Sequence, residues 1–285
     1  MQRIAIIGMG LMGSSLGLAL KKRGADVSIH AYARRAETRA RSLALGVADK
    51  VFETPAEAVA GADLVVICVP IWSISELAKE ILPALKPGAV VTDVGSTKTE
   101  LIALMDNLFA NSEACFVGSH PIAGSEKTGV EAGNPDLYEG RLTVVCSSAS
   151  VSKTAVADVS NLWKRVGSDV VEMSAAQHDA MLATTSHLPH MVAAALARSV
   201  GTEKADFCGT GFSDTTRVAS GSADMWVDII DTNRAPLEAE LDRFHEELQG
   251  LIAILRSGNQ GDIRRWLEEA AATRNAILQQ NRFLK

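Results

Sequence analysis

Gly118-Ser119-His120-Pro121-Ile122-Ala123-Gly124-Ser125-Glu126 is a polar, glycine-punctuated stretch that follows the apolar run Cys115-Phe116-Val117. A histidine just after a short strand, with proline behind it and glycines on both sides, sits in backbone fixed by turn chemistry. Such a position suits proton transfer, because an imidazole with an unperturbed pKa of about 6.5 acts as a base near neutrality. On these residues alone a capping or hydrogen-bonding histidine remains the alternative. A second stretch, Gly8-Met9-Gly10-Leu11-Met12-Gly13, follows the apolar run Arg3 to Ile7 and precedes the helix-like Ser14 to Arg23. This is GxGxxG between strand and helix, the context in which it binds a dinucleotide. Gly8 permits the tight turn, Gly10 lets a pyrophosphate approach the backbone, and Gly13 lets helix and strand pack closely. Leu11 and Met12 fall within this fingerprint as cofactor-binding candidates, and the N-terminus of the helix that follows offers N–H groups and partial positive charge to the phosphates.

The strand Val27 to Tyr32 should end where a carboxylate would hold the adenosine ribose of NAD. Here it ends in Ala33-Arg34-Arg35, with no acidic residue. Arginine accommodates a 2′-phosphate, so Arg34 and Arg35 point to NADP, with NAD possible if both are merely solvated helix-start charges. Leu64 to Pro70 is a buried parallel strand that brings Val69 and Pro70 to the carboxyl edge, where such sheets bind cofactors. Ala89 to Val94 is the next strand and ends at Gly95-Ser96-Thr97-Lys98, putting Ser96 at the same edge. Cys115 to Val117 then delivers the His120 loop there.

Two further strands, Leu142 to Cys146 and Asp169 to Met173, flank the amphipathic stretch Val151 to Val166. From Ser174 the strand signals give way to helical ones. Gln177 to Arg198 forms a helix kinked at Pro189. Leu237, Leu241, Phe244, Leu248, Leu251 and Leu255 recur at spacings of four and three, the stripe of a long amphipathic helix, and Ile263 to Leu278 suggests another. The expected architecture is a Rossmann-like α/β nucleotide-binding domain over residues 1–173 and an all-α domain over residues 174–285. The second is small for an independent core and carries long apolar stripes, which predicts a homodimer.

The 285 residues, 47% of them apolar and 22% charged, suffice for two folded domains. A net charge of −6, with no Lys/Arg cluster long enough for a phosphate-tracking patch, argues against nucleic-acid binding. Ile4 to Leu20 is apolar but short for a membrane span and lacks a small-residue cleavage site, so neither targeting nor membrane insertion is expected. Cys68, Cys115, Cys146 and Cys208 lack metal spacing and read as reduced thiols of a cytoplasmic protein. His187 and His190 stand one helical turn apart but have no third ligand nearby, so no metal is expected. His30, His178 and His245 read as structural or solvated.

The His120 stretch, Ser186-His187-Leu188-Pro189-His190, and Thr216-Arg217 to Trp226 together resemble the prephenate/arogenate dehydrogenases, oxidoreductases of tyrosine biosynthesis. The resemblance covers nearly the whole length. It implies a nucleotide-binding domain, a helical dimerisation domain, and oxidation of a 4-hydroxycyclohexadienyl ring by NAD or NADP with loss of the ring carboxylate as CO2. By motif position it implies that His120 is the catalytic histidine and that Ser96 hydrogen-bonds it and the substrate hydroxyl. It further makes His190 and Arg217 substrate-binding residues, Arg217 as carboxylate clamp, and puts Ser125, Glu126 and Trp226 around the pocket. Another two-domain NADP oxidoreductase, or a nucleotide sensor without turnover, would explain the glycine fingerprint but not these further motifs.

Overall fold

The computed structural model of the chain describes residues 2–125 and 127–283. Six strands form one parallel sheet: β1 (Arg3–Ile7), β2 (Ser28–Tyr32), β3 (Lys50–Phe52), β4 (Leu64–Ile67), β5 (Val90–Asp93) and β6 (Cys115–Phe116). Their order is β3-β2-β1-β4-β5-β6. Connections run through α1 (Leu11–Lys22), α2 (Ala36–Ala44), α3 (Pro55–Val59), α4 (Ile71–Ile81) and α5 (Thr99–Phe109). β1 explains why the central strands are apolar without alternation. Its Ile4 and Ile6 enter a core with Leu16, Leu20 and Trp163, while Ala5 and Ile7 enter another with Ile67, Ile74 and Met105. Successive side chains point to opposite faces, and helices cover both. The short β3 and α3 escaped the sequence reading; α3 is nonetheless locally encoded, by a Thr54–Glu57 capping box and Pro55 at its first turn.

The strand order reverses between β1 and β4, which opens a crevice at their carboxyl ends. Past β6 the chain leaves this sheet. β7 (Gly118–Pro121), β8 (Leu142–Cys146) and β9 (Asp169–Glu172) form a second, three-stranded sheet, with β7 antiparallel to β8 and β8 parallel to β9. His120 therefore lies in a strand opposite Val144, where turn chemistry had suggested a loop. Pro121 is tolerated because β7 is an edge strand, where its missing N–H leaves no ladder bond unmade. The helix between β8 and β9, α6 (Lys153–Arg165), fixes β7 from behind: the fully buried Trp163 donates its indole N–H to Ser119 Oγ at 2.9 Å and packs edge-on against Tyr138.

The remainder is helical: α7 (Ala175–Leu182), α8 (Leu188–Val200), α9 (Thr210–Thr216), α10 (Ala223–Thr232), α11 (Arg234–Ser257) and α12 (Gln260–Gln280). The helix expected over Gln177 to Arg198 is interrupted by a π-helical turn, Ala183–His187, directly before Pro189. Proline offers no N–H to the preceding turn and its ring crowds it; the widened turn absorbs both. On α11 only Leu237 is buried, and Leu241, Leu248, Ile252 and Leu255 are exposed in the single chain, as are Leu267, Ile277 and Leu278 on α12. No helix among the described residues is long and apolar enough to cross a membrane.

Trp163→Ala leaves a cavity behind the His120 strand and removes one partner of the Ser119 hydroxyl, which keeps Thr92 and the Asp93 carbonyl. It is expected to cost about 3–5 kcal/mol in chemical denaturation, and a loss below about 1 kcal/mol would contradict the packing described.

Candidate functional site

At the crevice, Gly8 turns the chain out of β1 with φ +107°, and a Cβ there would lie 2.5 Å from the Cys68 carbonyl oxygen. A Cβ on Gly13 would lie 2.0 Å from the Gly8 carbonyl oxygen, so α1 packs closer to the turn than any side chain permits. Gly10 borders open space, with nothing within 4 Å of its Cβ position, and α1 begins at Leu11 without a side-chain cap. Uncapped N–H groups at a helix N-terminus beside an open backbone fit a dinucleotide pyrophosphate. Gly8, Gly10, Arg34, Arg35, Val69 and Pro70 line one pocket of about 490 Å³. Leu11 lines a neighbouring pocket of about 550 Å³ together with Ser125. Met12 stands on the first turn of α1, its carbonyl held by the Tyr138 hydroxyl at 2.6 Å.

His120 stands in β7 at the junction of the two halves, with a partly exposed edge. Its Nδ1 lies 2.9 Å from His178 Nε2, and His178 Nδ1 lies 2.7 Å from Asp179 Oδ1. The Asp179 carboxylate also accepts the backbone N–H groups of Lys98, at 2.9 Å, and Thr99, at 2.7 Å, at the start of α5. Burial pushes this carboxyl up, but the hydrogen bonds from His178, Thr99 and Lys98 outweigh it and hold it below its ordinary range. An ionised Asp179 accepts a hydrogen bond from His178 Nδ1–H, so a neutral His178 accepts at Nε2. His120 must then donate from Nδ1, which leaves its Nε2 lone pair free. Burial, and after it the neighbouring His178, Lys98 and His187, lower the His120 pKa well below 6.5.

Behind β7 lies a fully buried ion pair, Lys98 Nζ to Asp93 Oδ2 at 2.6 Å. Asp93 also accepts the N–H groups of Gly95, at 2.7 Å, and Ser119, at 3.0 Å, and Lys98 donates to the Thr97 carbonyl at 3.0 Å. Both charges are thus paired and hydrogen-bonded, the condition for carrying them inside. Ser96 is half-buried on the turn between them, after β5. Among the described residues it makes no hydrogen bond with His120, whose Nδ1 is engaged by His178 instead.

The helical half contributes a stack of rings. His190 lies parallel to Trp226 with ring centroids 3.5 Å apart, and His187 meets the same indole edge-on at 6.0 Å. Burial lowers the pKa of His190, and it lowers that of His187 to about 4 despite the nearby Asp179. Asn233 donates to His187 Nδ1 at 3.0 Å and to the Asp179 carbonyl at 2.9 Å, which puts the His187 proton on a buried, unpartnered Nε2. Arg217 opens a 3₁₀ turn, Arg217–Ser220, after the short helix α9, and is exposed. Ser125 is exposed beyond β7, and Glu126 lies outside the described residues.

His178 and Asp179 are the residues that sequence reasoning missed. Of the two readings of His178, structural or solvated, the solvated one fails, because His178 is fully buried and hydrogen-bonded to His120. The available signal was a Ser174-to-Gln177 capping box that starts α7 and puts an adjacent His-Asp pair one turn inside it. Among the described residues no group of three His, Cys, Asp or Glu side chains could hold a metal ion.

Residues 16–172 match the prephenate dehydrogenase nucleotide-binding domain and residues 174–269 the prephenate dehydrogenase dimerization domain. The chain is similar to a cyclohexadienyl dehydrogenase of Zymomonas mobilis, 35% identical, over 97% of this chain and 96% of that one. Its fold is similar to that of the Aquifex aeolicus prephenate dehydrogenase solved with hydroxyphenyl propionate and NAD+, with a TM-score of 0.89, 31% identity, and coverage of 97% and 98% of the two chains. A Synechocystis arogenate dehydrogenase superposes with a TM-score of 0.85 at 25% identity, covering 96% of this chain and 99% of that one. A Rossmann-like domain followed by a helical dimerisation domain, matched over both halves, makes this chain a member of the prephenate/arogenate (cyclohexadienyl) dehydrogenase family.

Proposed function

We propose that the chain catalyses oxidative decarboxylation of prephenate to 4-hydroxyphenylpyruvate, with NADP preferred over NAD as hydride acceptor. The observation that carries this reading is the hydrogen-bonded series Asp179–His178–His120, which leaves a neutral imidazole with a free Nε2 at the junction of the nucleotide-binding and helical halves. When bound, the nicotinamide supplies the acceptor for hydride from the ring carbon that bears the hydroxyl. His120 Nε2 takes the hydroxyl proton as the carbonyl forms. Loss of the ring carboxylate as CO2 then aromatises the ring, and the resulting phenolate oxygen takes the proton back from His120. Ser96, on the turn after β5, orients the substrate hydroxyl.

A substrate with two carboxylates needs cations and neutral donors in a chain of net charge −6. Arg217 clamps one carboxylate, as arginine's planar fork suits. His190 and Trp226, stacked on each other, serve as substrate-binding residues, and the family resemblance adds Ser125 and Glu126 to them. Gly8, Gly10, Leu11, Met12, Gly13, Val69 and Pro70 hold the dinucleotide, and Arg34 and Arg35 supply the preference for a 2′-phosphate. The division after residue 173 falls between β9 and the Ser174 cap of α7. The exposed stripes of α11 and α12 support a homodimer, and four free cysteines support a cytoplasmic location. The likeness to the Synechocystis enzyme favours arogenate as a second substrate.

Purified protein should reduce NADP with prephenate, followed by absorbance of the reduced nicotinamide; no turnover with either prephenate or arogenate would sink the assignment. His120→Asn should keep substrate binding and lower kcat by roughly 100- to 10,000-fold, whereas Arg217→Ala should mainly raise KM for the substrate. Because the His120 pKa is depressed, its basic form persists as pH falls. We expect kcat/KM to hold down to pH 6.5 and to be lost only below it; an acid limb centred above 6.5 would contradict a neutral buried base. His178→Gln, which can still accept from His120 and donate to Asp179, should retain more kcat than His178→Leu at similar KM for NADP. Equal losses would make His178 mere packing.

A further inference from the structure

No acidic residue ends β2, yet a carboxylate borders the same pocket as Arg34 and Arg35: Glu131, from a segment nearly a hundred positions further on. That segment is fixed to the nucleotide-binding helix. A Cβ on Gly133 would meet Ser14 Cβ at 3.0 Å, so glycine permits the close approach to α1. The Asn134 N–H donates to Ser15 Oγ at 2.9 Å, the Tyr138 hydroxyl bonds the Met12 carbonyl at 2.6 Å, and Val130 is buried in the core. Glu131 is therefore held on fixed backbone at the pocket rim. Its carboxylate accepts from Arg41 Nε at 3.0 Å, and Arg41, on α2, lines the same pocket. That hydrogen bond keeps Glu131 below its ordinary pKa, so it is ionised at neutral pH.

We propose that the Glu131–Arg41 pair selects the dinucleotide. Glu131 accepts from the adenosine ribose hydroxyls of NAD and opposes the 2′-phosphate of NADP, and Arg41 is the counter-cation that exchanges Glu131 for that phosphate. The proposal rests on the reading above that this pocket holds the adenosine ribose. It adds to Arg34 and Arg35 a fixed negative charge that keeps NAD usable, a repulsive element of the kind specificity requires. Removing the charge while keeping the side-chain shape should favour NADP, and removing Arg41 should leave Glu131 unopposed and favour NAD.

The test is fluorescence titration of the purified full chain with NADPH and NADH, for wild type, Glu131→Gln, Arg41→Met and Glu37→Gln, the last a second carboxylate of the same pocket on α2. Glu131→Gln should raise the ratio of Kd for NADH to Kd for NADPH by about five- to tenfold, and Arg41→Met should lower it. A ratio within twofold of wild type in Glu131→Gln, an equal shift in Glu37→Gln, or equal weakening of both dinucleotides would overturn the proposal. The wild-type ratio tests the Arg34/Arg35 reading separately: tighter NADH binding in wild type would remove that preference and leave the Glu131 shift to be judged on its own.

Discussion

The Asp179 carboxylate accepts from the backbone of Lys98 and Thr99 on one side and from His178 on the other. It caps the N-terminus of α5 in the nucleotide-binding half while belonging to α7 of the helical half, so one side chain ties the two together. A carboxylate this deep would be costly without such partners. With them it is held ionised, and an ionised acceptor imposes a direction on the imidazoles beyond it. His178 is kept as an Nδ1–H tautomer, His120 becomes a donor at Nδ1, and the lone pair of His120 Nε2 is left for chemistry. The Asn233 amide adds a second tie, bridging the Asp179 carbonyl and His187.

Electrostatics completes what these hydrogen bonds begin. Burial acts first, and the His178 and His187 imidazoles and the Lys98 ammonium each further disfavour a positive charge on His120. The result is an imidazole that takes a proton less readily than free histidine. In the proposed reaction weak basicity is tolerable, because the hydroxyl proton becomes acidic only as hydride leaves its carbon. The Lys98–Asp93 pair serves packing as well: Asp93 gathers Gly95 and Ser119, and through Ser119 and Trp163 the strand bearing His120 is fixed to α6.

The parts of this architecture that rest on local chemistry were legible in the sequence. Gly8, Gly10 and Gly13 announced the nucleotide turn because their spacing between strand and helix is a local pattern: Gly8 and Gly13 leave no room for a Cβ, and Gly10 borders open space. The apolar stripe of α11 and the break at Pro189 were visible for the same reason, although only the folded chain reveals the π-turn that absorbs the proline. What escaped depends on distant pairing. β7 was taken for a loop because its hydrogen bonds go to Leu142–Cys146. His178 passed as a bland histidine because its partner lies 58 positions away. Glu131 went unremarked because the carboxylate was sought at the end of β2, and the fold supplies it from across the pocket.

The central claim is that Asp179 and His178 hold His120 as the neutral Nδ1–H tautomer. Nitrogen-15 NMR of histidine-labelled protein at neutral pH, with the His120 signals identified by comparison with His120→Asn, measures this directly. The account predicts a protonated Nδ1 and an unprotonated Nε2 on His120. An imidazolium, or an Nε2–H tautomer, would contradict it.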